Sequence, residues 1–152
     1  MISRLILFLL LNFGALALGS LFTGKGVPSE WYMNLAKAPW TPPGWVFGAA
    51  WTTIMICFTV YMAYLWPLAE NKTLLVGLYV LQLILNISWN PAFFHFQNVL
   101  GGLFIISGLT ILVGIFLFYY APQLKIKSLL IVPYFAWLLI ATSLNAYILL
   151  HN

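Results

Sequence analysis

The chain has 152 residues, of which 64% are hydrophobic and only 5% charged, and its mean hydropathy is +1.03. A soluble domain runs at roughly 45–50% apolar and about 25% charged, so this composition belongs in a bilayer. At about 20 residues per crossing, the length excludes more than about seven spans and any sizeable extramembrane domain. The net charge of +4 comes from six basic residues against two acidic ones. Arg4, Lys25, Lys37, Lys72, Lys125 and Lys127 are scattered, which gives nucleic acid no basic patch to bind. There is no Asp, and Glu30 and Glu70 are far apart, which argues against paired-carboxylate catalysis and a Ser-His-Asp triad. His95, His151 and the single Cys57 do not assemble a zinc site or a disulfide, and Cys57, inside an apolar run, reads as a small packing residue. No metal or cofactor is expected.

Five apolar runs follow in order, at about residues 5–23, 44–66, 74–94, 99–120 and 128–150. Each spans roughly 30 Å of hydrocarbon at about 1.5 Å per residue, and none shows the alternation a barrel strand needs. The predicted fold is therefore an all-α membrane protein, a bundle of five transmembrane helices in a single domain. Arg4 and Ala15-Leu16-Ala17 give the first run some likeness to a cleavable signal peptide. The run continues to Phe22 with no soluble domain behind it, so it is expected to stay as a span.

The connector over residues 24–43 is the long one. Ser29 is placed to N-cap a short helix on which Trp31, Tyr32 and Leu35 share a side, and Pro39, Pro42 and Pro43 stop that helix before the second span. An interfacial aromatic belt accounts for Trp40 and Trp45. A stiff lid over the bundle accounts for the prolines as well. Lys25, Glu30 and Lys37 read as solvated loop charges, or as the rim of that lid. Arg4, Lys72, Lys125 and Lys127 fall on one side of the bilayer and Lys25 and Lys37 on the other, which predicts a cytoplasmic N-terminus and an external first loop.

No Asp, Glu, Lys, Arg or His lies within the spans, apart from His95 at the edge of the third, which argues against an ion-driven pump. In the third span Gln82, Asn86 and Asn90 recur at i+4 steps, with Trp89 and Phe93 alongside. The fifth span carries Trp137, Ala141 and Asn145 at the same spacing, with Leu144 beside them. Such stripes are either interhelical hydrogen-bonding glue or the wall of a cavity with indole faces for stacking and amides for orientation. Trp51, Met55, Phe58 and Met62 form a packing stripe in which only Trp51 is a pocket candidate. Ala15 and Gly19 would allow close helix contact or dimerisation.

These residues together resemble the TspO/MBR translocator family, which includes the peripheral-type benzodiazepine receptors. The likeness is carried by Trp31-Tyr32-x-x-Leu35-x-Lys37-x-Pro39-Trp40-x-Pro42-Pro43-x-Trp45 and by Trp51. It continues in Tyr61-x-Ala63-Tyr64-Leu65-Trp66 and Gln82-x-x-x-Asn86-x-x-Trp89-x-Pro91-x-Phe93-Phe94, and ends in Pro133-Tyr134-x-Ala136-Trp137 and Ala141-Thr142-x-Leu144-Asn145. The resemblance implies a five-helix bundle, commonly a homodimer, with a pocket beneath the first loop that takes porphyrins such as protoporphyrin IX, isoquinoline carboxamides and benzodiazepines. It implies Tyr32, Pro42, Asn86, Trp89, Asn90, Phe93, Ala141 and Leu144 at the pocket. Trp51 and Trp137 would be the residues implicated in light- and oxygen-dependent porphyrin breakdown in bacterial members, the only catalytic role it suggests. A basic residue expected after Tyr147 in sterol-binding members is missing, which puts cholesterol recognition in doubt and leans towards a bacterial plasma membrane. A passive transporter of small apolar molecules is the alternative.

Overall fold

The structure is a computed structural model and describes residues 1–152. It is built from α1 (Ile2–Leu21), α2 (Glu30–Asn34), α3 (Gly44–Leu68), α4 (Lys72–Asn90), α5 (Val99–Tyr119), α6 (Ala121–Leu124) and α7 (Val132–His151). Of these, α1, α3, α4, α5 and α7 are long and apolar enough to cross a membrane. The predicted runs and the helices agree to within a few residues at most ends. The largest difference is at the last span, where residues 128–131 belong to a 3-10 segment, Lys125–Ile131, that turns the chain into α7 with Pro133 in its first turn. The third span does not stop at Asn90 but continues through one π-helical turn, Pro91–His95.

The spanning helices form a closed ring. α1 packs on α3 and α4, α4 on α5, α5 on α7, and α7 returns to α3. Large apolar side chains such as Leu10, Leu18, Ile111 and Phe118 point outward, where a lipid tail serves them as well as a neighbouring leucine would. Shape and hydrogen bonds therefore decide the arrangement. In the half away from the first loop, Phe58, Tyr61, Met62 and Leu65 of α3 interlock with Phe116, Tyr120 and Tyr134, leaving no opening through the ring. Ala15 and Gly19 are both buried, and a Cβ added at Gly19 would lie 2.7 Å from Asn90 Nδ2. At Gly19 this small pair brings α1 close to α4 within one chain, so the dimer reading of the pair gains no support.

A layer of buried polar groups crosses the bundle at mid-depth. Asn12 Nδ2 donates to Thr59 Oγ1 at 3.0 Å, and Asn12 Oδ1 accepts from the Tyr79 hydroxyl at 2.7 Å, tying α1 to both neighbours. Gln82 Nε2 and Asn86 Nδ2 both donate to the Tyr134 hydroxyl at 2.7 Å, tying α4 to α7. Removing that shared acceptor with Tyr134→Phe strands two buried amides, and the expected loss is about 1–3 kcal/mol. Thermal unfolding in detergent measures it; an unchanged melting temperature would mean the amides find other partners.

Candidate ligand-binding hollow

Above this layer the ring is not filled. A hollow of about 350 Å³ lies between the first loop and the polar floor. Its roof is ordered locally. Gly24 and Gly26, both at φ +60°, reverse the chain after α1 at a backbone angle that suits glycine. Ser29 Oγ then accepts from Tyr32 N at 3.2 Å and starts α2, as its position in the sequence suggests. Lys37 Nζ donates to the carbonyl oxygens of Tyr32, Met33 and Leu35 at 2.9, 2.9 and 3.1 Å and so closes the other end of α2. Lys37 is thus a cap and not a solvated loop charge.

The π-helical turn completes the roof contact. Its wider repeat, marked by Phe96 N donating to Pro91 O at 2.9 Å, lets consecutive residues meet the same partners. Phe93 and Phe94 lie 5.4 and 6.5 Å from the Trp31 ring and 6.3 and 5.8 Å from the Tyr32 ring. Burial holds the Tyr32 phenol above its ordinary pKa, so it stays neutral.

Tyr32, Trp51, Trp89, Asn90, Phe93, Trp137, Ala141 and Leu144 all line the hollow. Trp89 stacks on Phe93 at 5.0 Å with the planes 14° apart, and its Nε1 donates to Asn145 Oδ1 at 3.2 Å. Trp51 meets Tyr134 edge-on at 6.0 Å, and Trp137 meets Phe47 edge-on at 5.5 Å. The Trp137 indole N–H is buried without a protein partner.

Two of the residues assigned to the pocket lie elsewhere. Asn86 is one turn too deep; its amide is held by Tyr134 in the floor and does not reach the hollow. Pro42 lines a separate shallow crevice on the outer side of the loop, and Val27, Tyr32 and Phe47 form the wall between that crevice and the hollow. Sequence reasoning missed the α1 contribution, Leu16, Ser20 and Thr23, and the residues flanking Trp51 on α3, Phe47, Gly48 and Thr52. Leu16 carries no signal in the sequence, whereas Ser20 and Gly48 stand out there as small residues near the ends of apolar spans.

The sequence profile of the TspO/MBR family matches residues 6–151, covering every span and the roof. The chain belongs to the TspO/MBR family. Tryptophan-rich protein TspO of Archaeoglobus fulgidus is 37% identical over 135 residues, which cover 88% of this chain and 87% of that protein. Protein CrtK of Rhodobacter capsulatus is 33% identical over 134 residues, 85% of this chain and 80% of its own. The human translocator protein is 33% identical over 135 residues, 84% and 77% respectively. In this TspO/MBR chain the tryptophans are concentrated at one end: Trp51, Trp89 and Trp137 line the hollow, and Trp31 and Trp40 belong to its roof.

The hollow holds one titratable side chain, the Tyr32 phenol; its other polar groups are amides, hydroxyls and indole N–H groups. Its chemistry is therefore shape, stacking and a few hydrogen bonds, without an acid–base pair. Because Lys37 caps α2, Lys37→Met is expected to speed amide hydrogen exchange across residues 31–35 while leaving the melting temperature of the bundle unchanged. Exchange followed by mass spectrometry checks this.

Proposed function

We propose that the protein is an integral membrane receptor for planar aromatic ligands of the porphyrin class, protoporphyrin IX among them, with room for isoquinoline carboxamides and benzodiazepines. The observation that carries this reading is the convergence of Trp51, Trp89, Trp137 and Phe93 on one uncharged hollow under an ordered roof. Aromatic faces and edges add about 0.5–1.5 kcal/mol per contact beyond burial. The interlocked half of the ring below the hollow supports a receptor over a passive transporter, since the hollow ends blindly. Arg4, Lys72, Lys125 and Lys127 lie at the end opposite the roof, which supports a cytoplasmic N-terminus and an external roof in a bacterial plasma membrane. In this reading the functional unit is a homodimer.

Trp51 and Trp137, both on the hollow, support a second reading in which bound porphyrin is broken down in light and oxygen. Titration of protoporphyrin IX into the protein in lipid nanodiscs is expected to quench tryptophan emission at micromolar ligand. Ala141→Phe, which places a ring in the hollow, is expected to weaken binding by about tenfold or more, roughly 1.4 kcal/mol, at unchanged thermal stability. Absence of quenching in the wild type sinks the receptor reading. Under illumination in air, the porphyrin spectrum is expected to fade with the wild type and persist with Trp51→Phe/Trp137→Phe; equal fading in both removes these residues from that chemistry.

A further inference from the structure

We infer that the ligand reaches the hollow sideways, out of the lipid leaflet on the roof side, through a slit between α1 and α3 bordered by Ser20, Gly48 and Thr52. This rests on the receptor reading of the hollow and adds the phase from which the ligand is taken: the bilayer and not the aqueous side.

The slit is a set of residues that meet two conditions at once. Ser20 on α1 and Gly48 and Thr52 on α3 line the hollow, and these three are the exposed residues of its lining. A Cβ added at Gly48 meets nothing within 4 Å, so the space beside it is open. The outward faces of these two helices also carry bulky groups such as Leu18, Leu21 and Ile56 and small ones such as Gly14, Ala17 and Ala49, but none of these lines the hollow. The two helices are pinned together lower down, by Asn12 on Thr59. No hydrogen bond joins them at the level of the slit.

Depth fits a lipid-borne ligand. Gly48 and Thr52 lie about 6 and 12 Å along α3 from its start at Gly44, at about 1.5 Å per residue. That range runs from the headgroup boundary into the acyl region of one leaflet. A flat amphiphile resting there presents its ring to the hydrocarbon and its polar edge to the interface. The Thr52 hydroxyl on one side of the slit, and on the other the Ser20 oxygen, which can accept while its proton goes to Ala17 O at 2.7 Å, suit such an edge, and the glycine between them leaves clearance for a ring to slide past.

The other ways in are fastened. Asn152 Oδ1 accepts from Ala36 N at 2.8 Å while Asn152 Nδ2 donates to Ala36 O at 3.0 Å, which ties the roof to the end of α7. Trp40 Nε1 donates to Ser143 Oγ at 3.1 Å, and the Trp40 ring lies edge-on to Tyr147 at 5.5 Å. Tyr32 and Trp31 are seated on Phe93 and Phe94, and the far end of the hollow is the packed floor.

Stopped-flow quenching of the full chain in nanodiscs by protoporphyrin IX tests the route. Gly48→Leu, and separately Thr52→Leu, narrow the slit. Both are expected to lower the association rate constant by about tenfold and the dissociation rate constant along with it, because a barrier common to both directions slows both. Asn152→Ala, which unties the roof, is expected to leave both rates as they are. The proposal is overturned if the leucine variants exchange ligand at the wild-type rate, if they change Kd through dissociation alone, or if Asn152→Ala accelerates exchange. A wild type that shows no quenching overturns the receptor reading and this inference with it. Rates that fall in the leucine variants only would establish the slit.

Discussion

Within a bilayer an apolar side chain gains little by turning inward, whereas a polar group without a partner is costly, so buried hydrogen bonds carry much of the specificity of a small helical bundle. Here that constraint is concentrated around two side chains. Asn12 bridges α1 to α3 and α4, and the Tyr134 hydroxyl on α7 receives amides from two successive turns of α4. These bonds fix how the helices are rotated about their own axes. Once they are made, Phe58 and Tyr61 have to face Phe116 and Tyr134 below, and Trp51 and Trp89 have to face one another's space above. The hollow is the region where the rotation so imposed leaves large rings around the rim and small residues, Gly48 and Ala141, between them.

The roof depends on different physics. A helix as short as α2 does not hold itself together, and its ends are where backbone groups go unsatisfied. Ser29 supplies the missing acceptor at one end and Lys37 the missing donor at the other. Aromatic contacts with the π-helical turn then fix its position over the hollow. The irregular turn in α4 and the short helix in the loop are therefore one construction. Neither would present its aromatic side chains to the other if α4 continued as a regular helix to His95.

Spans and roof were legible because each follows from a local rule: long apolar runs for the first, a capping serine and a cluster of prolines for the second. The site was legible in part. Gln82, Asn86 and Asn90 share a stripe at i+4 steps, and no local feature separates the two that serve as floor bonds from the one that reaches the hollow. The separation comes from Tyr134, a residue about fifty positions away. Asn86 accordingly lies beneath the hollow, in its floor. Pro42 shows the converse: its motif lies in the roof, yet Phe47 and Val27 stand between it and the hollow. Lys37 looked like a surface charge because its acceptors are backbone carbonyls, which carry no residue identity to read.

The tie between Asn152 and Ala36 has an evolutionary corollary. It engages the peptide group of residue 36 and nothing of its methyl, so almost any amino acid at that position presents the same two handles. The dependence is one-sided: position 36 is free to vary while position 152 needs a carboxamide. Residue 36 can therefore change in sequence without loosening this mooring of the roof to α7.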